Sequence, residues 1–385
     1  MRLAIVASHP IQYQAPVFRR LAQQVDLKVF YAHRATPEDQ AAAGFGVPFE
    51  WDIDLLSGYA HEVVANVSKT PGTGRFLGCD TPQLADRLVH DGYAAVLVMG
   101  WHLKTFWQAA LACRRRGIPV LVRGDSQLGT PRSWAKGVVK SLLYPPGLRI
   151  FSAALYVGQR SREYFRAYHY PEDRLFFSPH CIDAKWFADR ATARHRNTLR
   201  SSLGVESDET LLLFAGKLVE FKRPLDVVRA AAMLRSSGRN VSVLVAGSGP
   251  LAGAMQREAE QNAVPLRMLG FQNQSEMPAA YAASDMLVLP SDGRETWGLV
   301  ANEALACGRP VIVSDAVGCA PDLAGDGLAG RVFELGNCSG LAEVIADLAD
   351  NPPRREGIVA KSSAYSVEAT CNGIVQAGRQ SGRIQ

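Results

Sequence analysis

The chain has 385 residues, 47% of them hydrophobic and 21% charged. It is longer than one hydrophobic core usually serves, so two globular domains of roughly 150–200 residues each are expected. No stretch approaches the roughly 18 apolar residues of a membrane span, and the apolar part of the opening MRLAIVASHPIQY is too short for a secretory signal, which points to a cytoplasmic protein. Charge is uneven: residues 1–200 carry 26 Lys and Arg against 16 Asp and Glu, and the remainder 16 against 21, so the first half suits an anionic membrane, an anionic substrate or a plain solvated surface.

In chain order, the first half offers the apolar runs RLAIVAS, LKVFYA, AAVLVMG, PVLVRG and AALYVG, which read as buried parallel strands with helical patterns between them. The run WDIDL alternates as a half-buried strand, leaving Asp52 and Asp54 to face solvent rather than hold a metal. The segment opening at Pro131 and closing at Phe151 places Lys136 and Lys140 one helical turn apart. Trp134, Val138, Val139, Leu142 and Leu143 lie beside them, a pattern that fits either a helix lying on an anionic membrane or an ordinary packing helix. Residues 189–205 are polar, basic and poor in periodic apolar positions, and read as a linker.

The second half repeats the alternation with TLLLFAG, VSVLVAG, LRMLGF, MLVLPS and PVIVSD. A helix follows Pro224, and another is expected from about Trp297 to Cys307, closed by Gly308 and stopped by Pro310. After Tyr365 the pattern turns helical again. Strands alternating with helices in both halves predict two doubly wound α/β domains, an acceptor-side unit over 1–195 and a second over 196–365, with a C-terminal helix and tail over 366–385. The seven cysteines are odd in number, scattered and without a C-x-x-C pair, and the eight histidines lack metal-ligand spacing, so reduced thiols and no zinc site are expected.

Ligands of open α/β sheets bind beyond the carboxyl ends of the strands. In the second half those ends hold Gly216-Lys217, Gly247-Ser248-Gly249-Pro250, Gly270-Phe271, Ser291-Asp292 and Ser314-Asp315. The GSGP turn lacks the strict G-x-G-x-x-G spacing, because the third glycine is Gly253, and no acid closes the following strand, which counts against a dehydrogenase. It leaves a plain turn or a close approach to a nucleotide. Lys217 and Lys222, just before a helix that Pro224 can begin, can clamp a diphosphate. Gly298 near a helix start leaves backbone N–H groups uncovered for an anion. Glu295 and Glu303 would repel phosphates but accept hydrogen bonds from vicinal hydroxyls, and a fully helical path between them would span about 12 Å at roughly 1.5 Å per residue.

Four segments in order, GKLVEFKRPLDVVRA, VLVAGSGP, LGFQNQSEMPAAYAASDMLVLPS and RETWGLVANEALACGRPVIVSDAVGCAPDL, resemble the donor-binding domain of retaining family 4 glycosyltransferases of GT-B fold, closely over 211–333 and loosely before. The resemblance implies a metal-independent hexosyltransferase that moves a sugar from a UDP- or GDP-linked donor to an acceptor hydroxyl with retention. It needs no further cofactor, and works in polysaccharide, glycolipid or glycoconjugate synthesis. It implies diphosphate contacts from Lys217, where the family usually has Arg, and from Lys222. Glu295 would hold the transferred sugar and Glu303 the ribose. The backbone of Trp297, Gly298 and Leu299 would take the phosphates, with Gly247, Gly249 and Phe271 along the nucleotide. Trp297 stands where Phe is usual, and Gly318-Cys319-Ala320-Pro321-Asp322 replaces the common Gly-Gly-x-Pro-Glu.

In the first half, Ser8, His9, Gln12 and Tyr13 offer groups suited to sugar hydroxyls, or form a plain turn. Asp125 or His102 is a candidate proton acceptor, the alternative for Asp125 being a salt bridge to Arg123. His180 and Cys181 are expected to be structural, at the cleft floor. Expected partners are the nucleotide sugar, a glycan, glycolipid or polyprenyl-linked acceptor, and an anionic membrane surface on the inner face, with no nucleic acid. A sugar-nucleotide epimerase or phosphorylase on the same fold, and a silent sugar- or lipid-binding module, are the alternatives.

Overall fold

A computed structural model describes residues 1–382 apart from Ala42, Ala43 and Phe45; the side chain of Lys136 also lies outside the described residues. Among the described residues thirteen strands form two sheets. The first is built from β1 (Arg2–Ala7), β2 (Asp26–Tyr31), β3 (Ala60–Val63), β4 (Ala95–Val98), β5 (Val120–Gly124), β6 (Ala153–Tyr156) and β7 (Leu175–Phe177), in the spatial order β3-β2-β1-β4-β5-β6-β7. The second contains β8 (Thr210–Ala215), β9 (Val241–Ala246), β10 (Leu266–Gly270), β11 (Met286–Leu289), β12 (Val311–Ser314) and β13 (Gly330–Phe333), in the order β10-β9-β8-β11-β12-β13. All the pairings are parallel, such as Ile5 with Val29 and Leu97, and Leu213 with Leu244 and Leu287. This is the GT-B arrangement, two Rossmann-like sheets facing a cleft, and the units built on the two sheets are called the first and second domains below.

Continuous apolar runs form the central strands because both faces of each sheet are covered. Successive residues of β1 serve opposite cores: Leu3 and Ile5 pack with the helix Val367–Ser381, and Ala4 and Val6 with Phe106 and Phe151. Leu211 and Leu213 of β8 divide from Leu212 and Phe214 in the same way. The C-terminal helix Val367–Ser381 returns to the first sheet, where Cys371, Ile374 and Ala377 are buried and Thr370 Oγ1 donates to the Pro179 carbonyl at 2.7 Å.

Two readings of the sequence are corrected. Residues 189–205 contain the helix Ala193–Ser202: Arg194 is exposed, but Arg196 and Arg200 donate to Asp285 at 2.7 and 3.3 Å and to carbonyls at the end of the helix Met277–Ala283. Asp52 and Asp54 lie in turns, not on a strand. Asp54 accepts from the Leu56 and Ser57 amides, closing its own turn, and Asp52 reaches the amide and hydroxyl of Ser275 in the second domain.

The seat of the C-terminal helix is tight, because a Cβ added to Gly373 would stand 1.9 Å from the Phe177 carbonyl oxygen. Gly373→Val should therefore lower stability by about 1–3 kcal/mol in urea unfolding, with an unchanged midpoint contradicting the packing described.

Candidate active site

A cavity of about 390 Å³ opens at the point where the second sheet reverses its strand order, between the ends of β8 and β11. Lys217, Lys222, Gly247, Phe271, Glu295, Trp297, Gly298, Leu299 and Glu303 all line it. Gly249 does not: it turns to the backbone of Leu218, which an added Cβ would meet at 2.7 Å, so its part is to let two loops pack. Lys222 lies against Glu295 as an ion pair with both side chains largely buried, and Ser291 Oγ donates to the same carboxylate at 3.3 Å. Burial, and then the charge of Lys222, push the Lys217 ammonium below the usual lysine value.

The helix expected from Trp297 starts two residues later, at Leu299, because Gly298 takes the left-handed conformation at φ 99° and turns the chain into Leu299–Ala306. That entry leaves the amides of the first turn without a side-chain cap, facing the cavity that the two lysines line. Glu303 is one turn further along, buried, and accepts a 2.6 Å hydrogen bond from Tyr281. Burial raises its pKa to about 7, although the tyrosine hydroxyl works in the other direction.

The side chain of Trp297 belongs to the domain seam. Its ring is 3% exposed, stands against Tyr365 and His180, and rests on Gly158, where a Cβ would come within 2.3 Å of it. The indole N–H donates to Asn302 Oδ1 at 2.8 Å. A phenylalanine has no N–H with which to bond Asn302.

A second cavity of about 300 Å³ adjoins the first through Tyr13, Asp125 and His180, and is lined by Ser8, His9, Thr73, Trp101, His102 and Ser126. His102 lies here, not in the cleft with the lysines. Burial lowers the pKa of His102, and that of His9 to about 4, so both imidazoles are neutral near pH 7. Gln12 lines the first cavity.

Asp125 does not pair with Arg123, whose guanidinium donates to the carbonyls of Ser178 and Pro179 at 3.2 and 2.7 Å. Asp125 instead accepts from Thr296 Oγ1 at 2.7 Å, across the seam, and faces His180 Nε2 at 3.7 Å. Burial opposes its ionisation, but His180 and Thr296 outweigh it and hold the carboxyl well below the usual range. His180, expected to be structural at the cleft floor, lines both cavities. Cys181 is buried behind it.

Among the described residues no group of three or more His, Cys, Asp or Glu is placed to hold a metal ion, and no helix is long and apolar enough to cross a membrane.

The fold is that of the GT-B class. Residues 195–363 match the family model described as Glycosyl transferases group 1. Over 301 residues the chain is 29% identical to a D-inositol 3-phosphate glycosyltransferase of Corynebacterium glutamicum (strain R), covering 74% of this chain and 69% of the relative. Two further relatives of the same description, from Corynebacterium aurimucosum and Mycolicibacterium smegmatis, are matched over only 64% and 38% of their length, at 27% and 32% identity, covering 70% and 43% of this chain. The fold matches the crystal structure of a glycosyltransferase from Rickettsia africae ESF-5 (TM-score 0.73, 15% identity, 99% of this chain and 98% of that one). It also matches Anabaena HepE in complex with UDP and glucose (TM-score 0.70, 16% identity, 98% of each chain).

Because the folded pKa of Glu303 is raised, its contribution to stability is fully present below the ordinary value near 4.5 and is lost as pH rises through about 7. Glu303→Gln, which keeps an acceptor for Tyr281, should match the parent near pH 4.5 and exceed it by on the order of 3 kcal/mol at pH 8.5 in urea unfolding. Equal stabilities at both pH values would contradict a buried, uncompensated carboxyl.

Proposed function

We propose that the protein transfers a hexose from a UDP- or GDP-linked donor to a hydroxyl of an acceptor bound in the first-domain cavity, with retention at the anomeric carbon and without a metal. The observation that carries this reading is the convergence, at one strand-order reversal, of two lysines and an uncapped helix start with a carboxylate on either side. The diphosphate lies on Lys217, Lys222 and the amides from Gly298 onward, the transferred sugar on Glu295 and the ribose on Glu303. The family match of the second domain and the UDP and glucose bound by Anabaena HepE support the donor class.

The transition state builds negative charge on the leaving diphosphate, where fixed cations and amides contribute most. In the front-face path proposed here, the bond from the anomeric carbon to the phosphate oxygen breaks as the acceptor oxygen bonds on the same face, and the acceptor proton passes to the departing phosphate. Asp125, ionised on the border of the two cavities, accepts a hydrogen bond from the acceptor hydroxyl, with neutral His102 and His9 beside it. Several hydroxyls, two imidazoles and Trp101 suit a polyhydroxylated acceptor such as a glycan or glycolipid, and the relative named for D-inositol 3-phosphate points the same way.

The helix Trp134–Leu148 is the proposed contact with an anionic membrane on the cytoplasmic side. Trp134 is 83% exposed and Leu142 69%, Val138, Val139 and Leu143 are exposed as well, and Lys140 lies over the Tyr144 ring.

Nucleoside diphosphate should be released from a donor only when an acceptor is present, and Lys222→Ala should lower that rate by about 10²-fold or more. Sugar isomerisation without acceptor would establish the epimerase alternative, and no turnover with any donor the binding module. The protein should float with anionic vesicles, and Trp134→Ser plus Leu142→Ser should abolish flotation; unchanged flotation would contradict the assigned helix.

A further inference from the structure

One first-domain side chain caps the backbone of the loop that carries Glu295. Gln127 follows β5, is 1% exposed, and does not line the cleft. Its Nε2 donates to the carbonyls of Gly293 at 2.9 Å, Glu295 at 3.0 Å and Ala316 at 3.3 Å, all in the second domain. Its Oε1 accepts from Arg160 Nη1 at 3.2 Å, and the same guanidinium donates to the Ala316 carbonyl at 3.1 Å and to that of Asp315.

Neighbours of Gln127 take the same loop. Asp125 accepts from Thr296, and a Cβ on Gly293 would meet the Gly129 carbonyl oxygen at 2.2 Å. A primary amide has two N–H groups, so at least one serves two of the three converging carbonyls. Without it the Ala316 carbonyl keeps Arg160 and the Glu295 carbonyl keeps the Gly318 amide at 2.9 Å, but the Gly293 and Glu295 carbonyls lose their first-domain donor, a cost that turning the peptides away relieves. The peptide so held is that of Glu295, and the direction of its carboxylate follows from the peptide plane. Lys217, Lys222 and the helix Leu299–Ala306, by contrast, are carried by second-domain elements that Gln127 does not touch.

We propose that Gln127 is a positioning residue for the donor sugar: it fixes the Glu295 backbone across the domain seam, so that the sugar end of the donor site is complete only when the two domains are closed on each other. This rests on the assignment of Glu295 to the sugar made above. It separates two parts of donor binding. The diphosphate end forms on the second domain, whereas the sugar end needs a first-domain amide.

The test is calorimetric titration of the full chain with a nucleoside diphosphate and with its hexose conjugate, for the parent, Gln127→Met, Gln127→Glu and Glu295→Gln. Gln127→Met keeps the volume and removes both donors, and Gln127→Glu is isosteric and guards against a folding defect in the first variant. The diphosphate Kd should stay within about two-fold of the parent in both Gln127 variants, while the ratio of the conjugate's Kd to the diphosphate's rises about ten-fold or more in all three. In turnover, kcat should fall with the acceptor KM unchanged. A raised ratio in Glu295→Gln with an unchanged ratio in both Gln127 variants overturns the positioning role and leaves the donor site as assigned. An unchanged ratio in all three overturns the assignment of Glu295 and the role of Gln127 with it. Loss of diphosphate binding in both Gln127 variants makes the residue a general structural support and also overturns the proposal.

Discussion

Lys222 and Glu295 meet across the point where the second sheet reverses its strand order, with side chains only 13% and 15% exposed. Two charges so far out of water are tolerable only together, and removing either leaves the other buried and unpaired. The pair ties the loop after β8 to the loop after β11, and so fixes the width of the cleft. In the proposed donor site it also sorts the ligand chemistry along that cleft: anionic groups toward the ammonium and the helix start, hydroxyls toward the carboxylate. Glu303 extends the same sorting in the proposed site to the far end, where Tyr281 bonds a carboxyl whose pKa burial raises to about 7.

The second constraint is the seam. Trp297 sits between Gly158 and His180 of the first domain and Asn302 and Tyr365 of the second, while the Tyr365 hydroxyl donates to Asp322 at 2.8 Å and Asp322 accepts the Gln159 amide at 3.0 Å. On the other flank, Asn273 donates to the Glu50 carbonyl at 2.7 Å and Phe49 packs on Phe271 at 4.3 Å, so first-domain residues border the cleft there as well. The loop of Glu295 is therefore set by both domains. A ligand in the cleft and the closure of the domains act on the same backbone.

The central strands were legible because parallel strands covered on both faces are apolar almost throughout, as VLVAG from Val243 to Gly247 is. Of the edge strands, Leu266–Gly270 was read as the run LRMLGF and the other three were not. Ala60–Val63 (AHEV) is mostly exposed, Leu175–Phe177 has three residues, and Gly330–Phe333 contains Arg331, so none shows the uninterrupted run of a buried strand. Residues 189–205 read as a linker because their charges looked solvated, whereas Arg196 and Arg200 satisfy a helix end and Asp285 in another part of the chain. Within the site, the lysines, Glu295 and Glu303 could be found by their order along the second half. His180 could not, because its neighbours at the cavity border, Tyr13, Asp125 and Trp297, are distant in sequence. Trp297 was visible as a departure from the family pattern, but its cause, the space over Gly158, is tertiary.

The cleft between β8 and β11 is the proposed donor site, on which every other assignment depends. A crystal structure of the chain with a non-hydrolysable nucleoside-diphosphate hexose tests it most directly. The account predicts the diphosphate within hydrogen-bond distance of Lys217, Lys222 and the amides at Gly298 and Leu299, hexose hydroxyls on Glu295 and the ribose diol on Glu303. A nucleotide lodged instead in the first-domain cavity beside His9 and His102, with Lys222 and Glu295 still paired and untouched, would contradict it.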